Sequence, residues 1–247
     1  MRHVAVPETK ISFLVGMAFC SVGGVVATYI ESGRSGVKEL ARRCVLYQVS
    51  IVWWFYALFL AVAVHTVATV VYGAVHGKVG PITPMELFHQ WWLVFVFIFG
   101  LFQGPLGEEL GWRGFLLPRL LDKCSPLKAS LILGLVWGVW HMPAGMLPGG
   151  PYYFHSVTGT VLFIASTVAM SILMTVLFLH TRGSVLLAIV LHGSVIPAKY
   201  ILATLFPMSQ EPPDWLRAVV LIVVALCAVA FLGKRLSASA GTNAQSD

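Results

Sequence analysis

Long apolar runs that lack a polar face decide most of what this chain can become. A helix needs about 20 residues to cross a hydrocarbon core of roughly 30 Å. Seven segments approach or exceed that length, approximately 11 to 30, 47 to 75, 87 to 121, 126 to 142, 156 to 180, 184 to 206 and 215 to 233. A helix on the surface of a soluble domain alternates apolar and polar faces, and these do not. With 58% hydrophobic and 11% charged residues and a mean hydropathy of +0.85, a water-soluble fold is excluded. The expectation is an all-α polytopic transmembrane bundle of about seven spans, with any active site inside the bilayer. Residues 1–236 form its helical domain, and 237–247 are a short polar tail expected to be disordered. The stretch from Ile11 to Ile30 is long enough to span, which weighs against reading it as a cleaved leader.

Punctuation inside the spans adds detail. Gly104, Pro105 and Gly107 interrupt the third, so a kink or break is expected there, and the fourth is expected to end at Met142-Pro143. Arg34, Lys38, Arg42 and Arg43 follow the first span, Arg119, Lys123 and Lys128 the third, and Lys234 and Arg235 the seventh. Positive charge collects on cytoplasmic loops, so those ends, the loop Ser32 to Arg43 and the C terminus are expected to face the cytoplasm. The same placement explains the net charge of +6 without nucleic acid, because no basic stripe interleaved with aromatics is present. Cys20, Cys44, Cys124 and Cys227 are scattered and read as packing residues. No internal repeat of the transporter kind is found.

Ionisable residues at lipid depth cost at least about 2.5 kcal/mol each and need a reason to be there. Eight of the ten acids fall in loops or at span edges, and the exceptions are Glu108 and Glu109. Arg113 lies one turn after Glu109, which predicts a Glu109–Arg113 ion pair. Glu108 is about 100° further round the helix and is left available for chemistry. His141 ends the fourth span and His192 lies well inside the sixth. A carboxylate and two imidazoles from three helices are the parts of a water-activating site, or of a zinc site with Glu108, His141 and His192 as candidate ligands. His65 reads as a helix–helix hydrogen-bonding residue, His155 and His180 as interfacial, and Trp53, Trp54, Trp91 and Trp92 as belt or core.

The segment Glu108-Glu109-Leu110-Gly111-Trp112-Arg113 resembles the first motif, EExxxR, of the CAAX protease and bacteriocin-processing family of intramembrane endopeptidases. Trp137 to His141 is similar to its second motif, an aromatic followed four residues later by histidine, and His192 to the histidine of its third. Ile196 stands where the third motif usually carries Asn or Asp. The resemblance implies an endopeptidase in which Glu108 activates water, His141 acts with it and His192 binds the developing oxyanion or a metal. Glu109 and Arg113 complete the set. It implies a peptide or protein substrate, possible membrane anchorage of that substrate, and a prokaryotic plasma-membrane setting. It is compatible with Zn²⁺ or with a metal-free mechanism. The rival expectation is a non-catalytic scaffold or bacteriocin-immunity type protein that binds a partner in the bilayer.

Overall fold

The computed structural model describes residues 6–77, 90–102, 104–145, 156–206 and 211–237, with 6–18, 102, 144–145 and 232–237 followed as backbone only. His155 and the tail beyond Ser237 lie outside the described residues. Every described element is helical.

Helix α1, Val6–Cys44, carries the first expected span and continues past it. It breaks at Gly33, whose φ of 60° and ψ of −154° suit a residue without a side chain. The basic stretch Ser32 to Arg43, expected as a loop, is therefore helical. The reason is an anchor that hydropathy averaging hides: Leu40 is buried against the third segment, while exposed Glu39 and Arg42 pair at 2.7 Å. Helix α2 spans Ile51–His76.

The third segment breaks where its glycines and proline fall, into α3 (Leu93–Phe102), α4 (Pro105–Glu109), a wide π-helical turn π1 (Leu110–Leu116) and α5 (Leu117–Leu121). Pro105 opens α4 at a position where a missing N–H costs nothing. Helix α6, Pro126–Trp140, is capped by the Ser125 hydroxyl and is followed by the short α7, Met142–Gly145. Helix α8, Val157–His180, is enclosed over its second half, with Ala169 to Phe178 buried without interruption. The sixth span is two helices, α9 (Val185–Gly193) and α10 (Val195–Leu205), joined at Ser194. Pro197 offers no N–H to the Gly193 carbonyl, which explains this unanticipated joint. Helix α11, Asp214–Ser237, completes the bundle.

Small residues bring the helices together, as expected where apolar side chains face lipid as readily as protein. A Cβ on Gly24 of α1 would lie 2.7 Å from the Gly111 Cα of π1. Cys20 and Ser21 of α1 donate to the Glu108 and Leu106 carbonyls at 3.5 and 2.8 Å. Gly134 and Gly138 of α6 meet α8 just as closely.

Among the described residues five helical stretches are long and apolar enough to cross a membrane, Ile51–His76, Leu93–Leu121, Val157–His180, Val185–Leu205 and Asp214–Phe231. The shorter apolar α6 and the long α1 occupy the other two expected places, so the bundle is that of an integral membrane protein. His65 departs from expectation. Its Nδ1 meets the Ala61 carbonyl at 2.8 Å, one turn back in its own helix, and not a neighbouring helix. His180, half-buried at the end of α8, stacks on Trp53 at 4.8 Å.

One end of the bundle gathers the turns 45–50 and 181–184, where the Arg182 guanidinium donates to the Gln48 carbonyl and Ser184 Oγ to that of Leu46. The α1 extension and Arg119, paired with Glu31 at 2.5 Å, lie along the same chain ends. A cysteine replacing exposed Ser35 is expected to react with an impermeant thiol reagent in inverted vesicles and to stay unlabelled in intact cells. Labelling from outside would reverse the orientation.

Candidate active site

The site is built on the wide turn of π1. The Leu117 amide bonds the Trp112 carbonyl five residues back, not the usual four. Such widened turns cluster at functional positions because they change the phase of a helix locally. Here Glu108, Glu109, Arg113 and nearly all of Trp112 are buried together.

The expected ion pair is present. Arg113 Nη1 lies 2.9 and 3.0 Å from the two Glu109 oxygens, with both side chains fully enclosed. Breaking a buried pair by removing one partner costs about 3–5 kcal/mol, since the other charge is stranded. His192 from α9 adds a second contact, its Nδ1 donating to Glu109 Oε1 at 2.8 Å. The guanidinium lies 4.7 Å from the Trp137 ring centre, and that ring is edge-on to His192 at 5.1 Å.

Glu108 has different company. Its Oε2 accepts from the indole N–H groups of Trp137 at 2.7 Å and Trp112 at 3.3 Å. Its Oε1 is buried without a hydrogen-bond partner among the described residues. That oxygen faces His141 Nε2 at 3.9 Å, too far for a direct bond. His141 Nδ1 is 2.8 Å from the Trp137 carbonyl and so carries the hydrogen, which puts the lone pair of the neutral ring on Nε2. Rings of Trp140 at 5.0 Å and Phe163 at 5.5 Å hold the imidazole edge-on. Two acceptors face each other across a gap that one water with two O–H donors can bridge.

All five sequence-derived residues therefore converge, but as two units: Glu108 with His141, and Glu109 with Arg113 and His192. A zinc ion on Glu108, His141 and His192 does not fit this division. Among the described residues no three His, Cys, Asp or Glu side chains are grouped to hold a metal. Ile196, at the place of the family's Asn or Asp, is 45% exposed and adds no polar atom. Sequence reasoning missed Trp137 and Trp112 as donors to Glu108. The four-residue step from Glu108 to Trp112 is a readable signal, whereas the reach of Trp137 from another helix is not.

A helical membrane bundle with a buried pair of glutamates, an arginine and two histidines defines a class of intramembrane protein. Residues 89–195 match the model of the family described as type II CAAX prenyl endopeptidase, Rce1-like. The CAAX prenyl protease 2 of Methanococcus maripaludis is 35% identical over 88 residues, 34% of this chain. The match spans about a third of that relative's length, 32%.

Arg113→Ala is expected to lower the amount of folded protein, by stranding the Glu109 carboxylate. Unchanged abundance and unchanged thermal midpoint on immunoblot and scanning fluorimetry would contradict the pairing argument. Trp137→Phe keeps the ring over Arg113 but removes the shorter donor to Glu108, at a cost of about 1–3 kcal/mol. A thermal midpoint equal to wild type would show that this bond adds no stability.

Proposed function

We propose that the protein is an intramembrane endopeptidase that hydrolyses a peptide bond with water activated by Glu108. The observation that carries the reading is Glu108 Oε1, buried and without a hydrogen-bond partner among the described residues, at 3.9 Å from His141 Nε2. The Rce1-like match over residues 89–195 supports it, as does the relative named CAAX prenyl protease 2.

Water held between these two atoms gives a proton to Glu108 as its oxygen attacks the scissile carbonyl. The two indole donors stay on Oε2, so the proton goes to Oε1. The carbonyl oxygen becomes an oxyanion, which needs preorganised donors worth several kcal/mol in a dry site. Arg113 Nη2 and Nε are buried and without hydrogen-bond partners among the described residues and can donate to it, and His192, held through Nδ1 by Glu109, is the second group assigned to it. Glu108 then returns its proton to the leaving amine, which breaks the C–N bond. Glu109 holds Arg113 and His192 in place throughout.

The substrate in this reading is a membrane-anchored peptide or protein, met in a prokaryotic plasma membrane with the C terminus cytoplasmic. The second reading is a non-catalytic scaffold or immunity type protein, favoured by Ile196 at a position that is polar in the family.

Purified Glu108→Gln protein is expected to keep its thermal stability and to bind a membrane-anchored peptide that the wild type cleaves. Cleavage should fall by at least about 100-fold, the usual worth of a general base. Normal cleavage by this variant would sink the proposal, and loss of stability with binding would favour the scaffold. Chelation with metal analysis on the wild type separates zinc from metal-free hydrolysis: activity that vanishes with a bound metal and returns on its re-addition would assign the ion a part.

A further inference from the structure

Arg43 lies outside the cluster that the proposed reaction uses, yet it reaches the backbone that carries it. From the end of α1 its Nη2 donates to the Arg113 carbonyl at 2.8 Å and its Nη1 to the Gly114 carbonyl at 3.2 Å. Its Nε donates to the Gly183 carbonyl at 2.8 Å, one residue before the Ser184 cap of α9. The guanidinium lies over the Phe178 ring at 5.0 Å, which leaves it half-buried and fixed in plane.

The two π1 carbonyls it chooses have a shared history. Leu117 N–H bonds Trp112 O in the five-residue pattern, so the next donor in that pattern, residue 118, is due at Arg113 O. Counted in the four-residue pattern, residue 118 is due at Gly114 O. Residue 118 is proline and has no N–H to give to either. Both carbonyls would be left in a poorly hydrated setting where an unmade bond is costly. Arg43 donates to both.

We propose that Arg43 is a positioning residue that supplies, from another helix, the backbone donor that Pro118 lacks. It thereby holds the wide turn carrying Arg113 in register with α9, which carries His192. Lysine cannot replace it, because three carbonyls in a plane need the fixed fork of a guanidinium. The consequence for cleavage rests on the endopeptidase reading, but the consequence for the backbone does not.

The test uses full-length protein in detergent or nanodiscs and reads amide hydrogen exchange first. Arg43→Lys is expected to speed exchange across residues 110–117 by about tenfold or more. Adding Pro118→Ala, which restores an N–H within the segment, should return that exchange toward wild type. The same substitution offers nothing to Gly183, so a general packing defect would not be rescued. In the cleavage assay Arg43→Lys should lower kcat by about tenfold with KM within about twofold, since misplacement harms the transition state more than binding. Wild-type exchange across 110–117 in Arg43→Lys would overturn the proposal, whatever the protein cleaves. If Arg43→Lys fails to accumulate, the double variant decides: recovery supports the donor role and continued failure overturns it.

Discussion

The bundle depends on one electrostatic constraint: Arg113 and Glu109 form an ion pair with both side chains fully enclosed, and removing either strands the other. The pair fixes a great deal around it. An aromatic face must cover the guanidinium, and Trp137 does so. A second cation-like donor must share the carboxylate, and His192 reaches across from α9 to do so. Helices α6 and α9 are therefore tied to π1 by charge and π-electron contacts, in a medium where apolar burial alone holds helices together weakly. Once that frame stands, Glu108 can be kept dry beside it, with one oxygen satisfied by indoles and the other turned toward His141.

This arrangement separates stability from chemistry within two adjacent residues. Glu109 is saturated with partners and rigid. Glu108 has an oxygen without one, and a buried polar atom left that way marks a place where the fold carries an energetic cost for some other end. Adjacent residues on a regular helix could not easily be enclosed together and serve such different neighbours. The widened turn and the close passage of α1, glycine on glycine at Gly24 and Gly111, let them do so.

Much of this was legible in the sequence. Apolar runs located the helical segments because lipid demands length and continuity, and Gly104 and Pro105 marked the third-segment break by backbone chemistry alone. The four-residue step from Glu109 to Arg113 forecast their pair. Other features were hidden for equally physical reasons. A π turn has no residue signature in a single sequence, so the depth of Glu108 and Glu109 is readable from their apolar flanks but the widened turn that follows them is not. The helical course of Ser32 to Arg43 is masked by its charges, since a single buried leucine, Leu40, seats it. His65 was assigned a neighbour because a polar group in lipid needs a partner, but its own helix supplied the carbonyl. Contacts from one helix to another, such as Trp137 to Glu108, follow from tertiary geometry and leave no spacing to read.

The π turn also makes the length of the segment a structural quantity. A seven-residue π segment, Leu110–Leu116, is an α-helix carrying a surplus residue, which rotates everything before it by about 100° relative to everything after. The half that bears the acids and the half that ends in Arg119 therefore answer to different faces of the molecule. Removing one residue from Leu110–Leu116 would turn Glu108 and Glu109 by about 100° relative to Arg119 without changing the identity of any other side chain, so the residue count of the segment constrains the site as firmly as Arg113 does.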